Sequence, residues 1–449
     1  MSDDDALGEV YAAILDRAPE HDFDPTLDRV REVCDLLGDP QHNYRVVHIT
    51  GTNGKTSTAR MVERLVREHG LRTGLFTSPH LTSVTERIAV DGVPVTPERF
   101  VELWQDVSPY IQMVDQRSQA AGGPRMSFFE VLTVMALAAF ADAPVDVAVI
   151  EVGMGGTWDA TNVVEADVAV ITPVSLDHQA WLGDDLRDIA GEKSGIIKEH
   201  TELVLGEQEP DVDGVVLAAA AELGVRVVRE GVDLEVADRL VAVGGQVIGL
   251  STTGGRYPQM LLPLHGAHQA HNALLALAAV ELLLRGGGAL DSTVVESAFA
   301  DADSPGRLES VRTSPTVLVD VAHNPSGAAA LVAAVQEAFT FDRLVGVVGI
   351  LQDKDAEQVL GVLEPLLTDV VITRSGSPRA RDVGELAEIA VEVFGPDRVH
   401  ARERLDAAIT LAVDLAETGG ASVAGVLVTG SVTVVAEARV LLGRRGARS

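Results

Sequence analysis

Apolar positions along this chain fall into short continuous runs separated by stretches with helical spacing. Residues 46–50 form one such run, followed by a glycine-rich turn and a helical pattern over 56–68, which predicts strand, loop and helix. The runs 145–152 and 168–172 are mostly apolar, interrupted only by Asp146, Glu151 and Thr172, as in parallel strands covered on both faces. Before them, residues 25–37 predict a helix with Asp24 as N-cap, Pro25 at its first position and Gly38 beyond its end. Residues 234–264 alternate and contain Gly-Gly pairs, which predicts a hairpin-rich insert, and a helix follows over 268–284. After Asp303 the strand–helix grammar restarts, with strands expected at 317–321, 344–350, 370–373 and 426–429. The expected fold is therefore α/β with two domains. Residues 1–303 form a first, larger domain with a mostly parallel sheet. Residues 304–449 form a smaller Rossmann-like α/β domain, and 301–306 are the hinge.

Composition narrows the class. A length of 449 residues exceeds what one ordinary core organises. The longest strongly apolar stretch, 131–141, is shorter than the roughly 18 residues a membrane helix needs, and the acidic N-terminus lacks the order of a signal peptide. One cysteine, Cys34, excludes an internal disulfide and fits a reducing cytoplasm. A formal net charge of -32 argues against nucleic acid as a partner, although a local nest of backbone N–H groups can still bind phosphate. Of 35 basic residues only Lys55, Lys193, Lys198 and Lys354 are lysine, which gives weight to each position where arginine could not do the chemistry.

The strongest local signal is Thr50-Gly51-Thr52-Asn53-Gly54-Lys55-Thr56-Ser57, set between a predicted strand and helix. Glycines there let backbone N–H groups approach phosphate oxygens, Lys55 supplies a point charge and Thr56 can help hold Mg²⁺. Ile49 replaces the first glycine of a full P-loop, so this is the shortened GxxGK[ST] form. Glu151 ends an apolar strand just before Gly153-Met154-Gly155-Gly156, a position suited to a Mg²⁺ ligand at the carboxyl edge of a sheet. An isolated Glu after a strand is more often merely solvated, and the glycine cluster tips the balance. Asp177-His178 follows the strand ending near Thr172, and Glu192-Lys193-Ser194-Gly195 lies on or at the end of a short helix. A surface ion pair is the plain reading of Lys193, but arginine would serve that purpose equally.

Together with Thr77-Ser78-Pro79-His80-Leu81, Glu86-Arg87-Ile88, Ser127-Phe128-Phe129-Glu130, the segment 151–162, Asn272-Ala273, Pro305-Gly306-Arg307-Leu308-Glu309, 320–325 and Asp353-Lys354-Asp355, these motifs occur in an order that resembles the Mur ligase superfamily. Within it they resemble the folylpolyglutamate and dihydrofolate synthase branch. The resemblance implies ATP-dependent joining of L-glutamate to the γ-carboxylate of a (tetrahydro)folate, or to dihydropteroate, through an acyl phosphate. It implies ATP and Mg²⁺ as cofactors, small-molecule partners only, and a monomer. It assigns Thr52, Asn53, Gly54, Lys55, Thr56, Ser57, Asn272, Arg307 and Asp320 to ATP, and Ser78, Glu151 and His178 to the metal. Lys193 would be carbamoylated and act with Lys55, Glu151 and His178 in catalysis. Ser127, Phe128, Phe129 and Glu130, with Trp158, Asp159 and Ala160, would line the pterin pocket, and His323 and Ser431 would face glutamate. Thr157 stands where relatives often carry arginine.

Two rival readings remain. A cell-wall Mur ligase would carry a further sugar-nucleotide domain, and about 45 residues before the P-loop are too few for one. A P-loop switch that hydrolyses ATP to move a partner would need no amine acceptor.

Overall fold

The computed structural model describes residues 3–18, 24–418 and 423–443. Its largest sheet contains β1 (Arg45–Thr50), β2 (Thr73–Phe76), β3 (Ile88–Val90), β4 (Val93–Pro94), β5 (Val147–Glu151), β6 (Val168–Ile171), β7 (Glu202–Leu205) and β8 (Val227–Arg229). The spatial order is β4-β3-β2-β5-β1-β6-β7-β8, parallel except at the β3 and β4 edge. β1 lies in the middle, and five of its six residues are buried, the polar His48 and Thr50 among them. On one face Val47 and Ile49 pack with the helices Lys55–Glu68 and Ala267–Arg285. On the other, Val46 packs with the helix Phe128–Asp142. Ala267–Arg285 and Phe128–Asp142 are apolar nearly all round because each is enclosed on every side.

The insert is a three-stranded antiparallel sheet of β9 (Glu235–Ala242), β10 (Gly245–Ser251) and β11 (Arg256–Leu262), as the alternating pattern predicts. The last sheet holds β12 (Glu309–Thr313), β13 (Thr316–Val319), β14 (Arg343–Val348), β15 (Asp369–Ile372), β16 (Val399–Ala401) and β17 (Ala424–Thr429). Its order is β12-β13-β17-β14-β15-β16, parallel except for β12.

One helix start differs from expectation. The helix expected from Pro25 runs over Asp28–Leu36, and Asp24 does not cap it. Buried Arg29 draws Asp24 to itself instead, donating Nη1 to its carboxylate (3.2 Å) and Nη2 to its carbonyl (3.0 Å). Gly38 does stop the helix, at φ +79°.

Candidate active site

The sheet's register sets the site. Ile49 pairs with Glu151 across β1 and β5, and Thr50 pairs with Ile171 across β1 and β6. The loops leaving these three strands therefore emerge side by side at their carboxyl edge, where open α/β sheets bind ligands. The loop after β1 needs its glycines. A Cβ on Gly51, at φ +141°, would lie 1.9 Å from Thr172 Oγ1, and one on Gly54, at φ +92°, would lie 2.5 Å from Asn272 Oδ1. Thr172 Oγ1 donates to Asn53 O (2.8 Å), Thr52 N donates to Pro173 O (3.0 Å) and Thr52 Oγ1 to Ser175 O (2.9 Å). The loop is thus braced from β6 and opens into the N-terminus of Lys55–Glu68, where unpaired N–H groups and the helix dipole favour an anion.

Four sequence-predicted side chains, those of Lys55, Thr56, Glu151 and Lys193, converge here. Thr56 Oγ1 donates to Glu151 Oε1 (2.8 Å), and the Ser78 amide donates to Glu151 Oε2 (3.2 Å). Lys55 Nζ donates to Gly51 O and Thr52 O (3.1 Å each), and Lys193 Nζ donates to the same Gly51 O (2.9 Å). Ser57 turns aside: its hydroxyl lies 2.9 Å from Ser304 Oγ, so only its backbone is free for phosphate. Burial pushes Glu151 up and Lys55 down, and their mutual attraction opposes both shifts. Lys193 is lowered to about 7, first by burial and then by the charge of Lys55. It is fixed by the loop 153–162. Thr157 N and Oγ1 both donate to Glu192 O (3.0 and 3.1 Å), and Asn162 Nδ2 donates to Gly195 O (3.0 Å). Gly156 packs so close that a Cβ would meet Glu192 O at 2.6 Å. Thr157 therefore positions the Lys193 helix.

The loops after β13, β14 and β17 close the opposite side. Asp320 accepts from Leu308 N and Ala322 N (2.8 Å each), shaping the segment that carries Arg307 and His323. His323 Nδ1 bonds Val321 O (2.9 Å), while Ser431 Oγ caps the helix Val432–Leu441 by accepting from Val434 N (3.2 Å). Arg307, Asp320, His323 and Ser431, with His178, Asn272 and the P-loop, line one cavity of about 1680 Å³. Among the described residues no group of three or more His, Cys, Asp or Glu is arranged to hold a metal. The group at Glu151 is instead one carboxylate with the Thr56 hydroxyl and the Ser78 backbone amide.

Residues 49–280 match the family model described as the Mur ligase middle domain, and 306–432 match the Mur ligase glutamate ligase domain. A dihydrofolate synthase/folylpolyglutamate synthase of Mycobacterium tuberculosis is 51% identical, over 98% of this chain and 94% of that one. The chain belongs to the Mur ligase family. A counterpart from Escherichia coli is 32% identical over 84% of each chain. Crystal structures of the M. tuberculosis folylpolyglutamate synthase with ADP and AMPPCP superpose with a TM-score of 0.95 at 49% identity, covering 99% of this chain and 100% of that one. A complex of E. coli FolC with DHPP and ADP gives 0.83 at 30% identity, covering 98% of each.

For a Mur ligase the remaining arm of the cavity is the informative one, because acceptors differ between branches. Ser127, Phe129, Glu130, Trp158, Asp159 and Ala160 all line it. Ser127 and Glu130 are occupied with each other: Ser127 Oγ accepts from Glu130 N (3.3 Å) and Ser127 N donates to Glu130 Oε2 (2.6 Å), a capping box that starts Phe128–Asp142. Glu130 Oε1 also accepts from Arg29 Nε (3.0 Å). Asp159 accepts from Met154 N, Thr161 N and Thr161 Oγ1, and burial raises it to about 6. Phe128 does not line the cavity. Its ring lies behind the wall, against Tyr11 (6.2 Å) and beneath the Arg87 guanidinium (5.1 Å). Phe129 faces the cavity, tilted on Phe76 (5.7 Å) and crowding Gly153. Tyr11 and His80 also line this arm, and the sequence reading gave neither a role. Tyr11 sits on a helix, Asp3–Leu15, that the reading did not predict.

Proposed function

We propose that this ATP-dependent ligase joins L-glutamate to the γ-carboxylate of (tetrahydro)folates, and also to dihydropteroate. The observation that carries this is the single cavity into which one domain projects the P-loop, Glu151 and Lys193 and the other projects Arg307, Asp320 and His323. Two domains facing one cavity suit a reaction that must hold a nucleotide, an acid and an amine together. We assign the first task to residues 1–303 and the amine side to 304–449.

A carboxylate is a poor electrophile, so ATP first phosphorylates it and glutamate then displaces phosphate. In this reading the P-loop amides, Lys55 and Arg307 hold the phosphate chain. Asn272 and Asp320 hold the nucleoside, and Thr52 to Ser57 shape the loop around it. Phe129 and Trp158 enclose the pterin, with Asp159 and Ala160 at its edge, while Ser127 and Glu130 fix the helix that presents Phe129. Phe128 contributes packing. His323 and Ser431 flank the incoming glutamate. Oxygen donors suit Mg²⁺, which Glu151 would hold with Ser78, Thr56 and ATP oxygens, and His178 would complete the set. When bound, the metal neutralises charge on the transferring phosphoryl group. Lys193 is buried, and its ammonium is destabilised by burial and by Lys55, so a neutral amine is accessible near neutral pH. That is the form carbamoylation requires. No described helix is long and apolar enough to cross a membrane. A cytoplasmic location and a monomer are part of the proposal.

The test is direct. Purified protein is given ATP, Mg²⁺, glutamate and either dihydropteroate or tetrahydrofolate. Product extended by one glutamate, formed with ADP and phosphate, is expected from each acceptor. ADP release indifferent to glutamate would favour a P-loop switch and overturn the assignment.

A further inference from the structure

A polar seam joins the two sides of the cavity, and the two residues at its centre, Asp177 and Asn324, have no role above. Asp177, on the loop after β6, has a side chain 8% exposed. Its Oδ1 accepts from Lys354 Nζ and from the His178 amide (2.8 Å). Its Oδ2 accepts from Asn324 Nδ2 (3.0 Å) and lies 3.4 Å from His323 Nε2. Lys354, Asn324 and His323 all belong to the C-terminal sheet's loops. One first-domain carboxylate is thus held by three second-domain side chains.

Asn324 is the hub. It caps the helix Pro325–Ala338, its Oδ1 accepting from Gly327 N (2.7 Å). A cap needs only that one acceptor, and Asp or Ser would supply it. The rest of the amide faces the first domain. Nδ2 donates to Asn53 Oδ1 (3.1 Å) as well as to Asp177, and Oδ1 accepts from Asn53 Nδ2 (3.3 Å). Asn53 is a P-loop residue, and its Nδ2 also donates to Ser326 Oγ (2.8 Å). An amide is the side chain that can accept at the cap and donate across the seam at once.

We propose that Asp177 and Asn324 are positioning residues of the ligase reaction, forming a clasp that seats the second domain on the P-loop while the acyl phosphate exists. The proposal rests on the ligase reading of the cavity. Its consequence is chemical: a second domain that is not seated admits water, and the acyl phosphate is hydrolysed before glutamate reaches it. Loss of the clasp therefore uncouples ATP consumption from amide formation, which loss of a helix cap alone would not do.

The experiment uses the full chain with ATP, Mg²⁺, glutamate and tetrahydrofolate, measuring ADP and amide product together. Asn324→Asp keeps the cap acceptor, removes both cross-domain donors and sets a carboxylate against Asp177. It is expected to lower kcat about tenfold or more and to raise ADP per amide several-fold, with acceptor KM within about threefold. The reciprocal swap, Asp177→Asn with Asn324→Asp, restores a donor–acceptor pair and is expected to recover much of the coupling. If Asn324→Asp does not fold, Asn324→Ser also keeps a cap but loses the amide arm that donates to both Asn53 and Asp177, and the same uncoupling is expected. A folded variant with near-native kcat and one ADP per amide overturns the clasp, as does a swap no better than Asn324→Asp alone. Failure of the native chain to make any glutamate-dependent product overturns the ligase reading instead, so the two failures are separable.

Discussion

At the scale of single residues, the site turns on two lysines sharing one carbonyl oxygen. Lys193 stood out in sequence because arginine is used almost everywhere else in this chain. The structure adds burial and a lowered pKa, neither of which composition could show. A plain ammonium would tolerate a charge-preserving change, whereas a carbamate would not. Lys193→Arg is therefore expected to lower kcat by about 10²–10³, read in a glutamate-dependent assay on folded protein. The pH dependence follows from the same shift. Below about 7 the amine takes up a proton and cannot be carbamoylated, so at fixed bicarbonate activity should fall from pH 8 to pH 6. An unchanged rate across that interval would count against the carbamate. Lys55→Ala should cost a similar factor without lowering the melting temperature, since Lys55 bonds only loop carbonyls.

At the scale of elements, what the sequence made legible was the buried middle of each sheet. β5, β6 and β14 announce themselves because both faces are covered and most residues are apolar, and β1 shows through its Val46, Val47 and Ile49 although His48 and Thr50 are buried with them. The short edge strands β3, β4 and β16 carry two or three residues each, too few for a period to register. The start of Phe128–Asp142 is legible as Ser-x-x-Glu, and the structure makes Ser127 and Glu130 its capping box as well as cavity-lining residues. Adjacent phenylalanines on that helix should now separate. Phe129→Ala is expected to raise the acceptor KM about tenfold with little change for ATP. Phe128→Ala is expected to act through packing, costing about 3–5 kcal/mol, and to appear in thermal unfolding. Equal effects of both changes on acceptor KM would refute this division.

At the scale of the whole molecule, sequence order concealed the cavity. Asp177 meets Lys354 across 177 residues and Asn53 meets Asn324 across 271, and no local pattern encodes such pairings. Chelating divalent cations should abolish turnover by the intact enzyme, with Mg²⁺ restoring it, if Glu151 and its neighbours hold the metal as proposed. The stretch 301–306, expected to be a hinge, is not a slack tether. Arg60 binds Asp303 (2.6 Å), Arg64 binds Asp301 (2.6 Å) and Ser57 meets Ser304, so its first part is bolted to the helix that begins in the P-loop. Its last part belongs to the other side, because Val321 N donates to Gly306 O (3.0 Å). The connection therefore has a polarity. An extra residue inserted between Asp301 and Asp303 would wrench the nucleotide-binding helix, whereas one inserted after Pro305 would only lengthen the leash. Cutting this protein into two separately made halves can succeed only where the knife falls beyond Ser304.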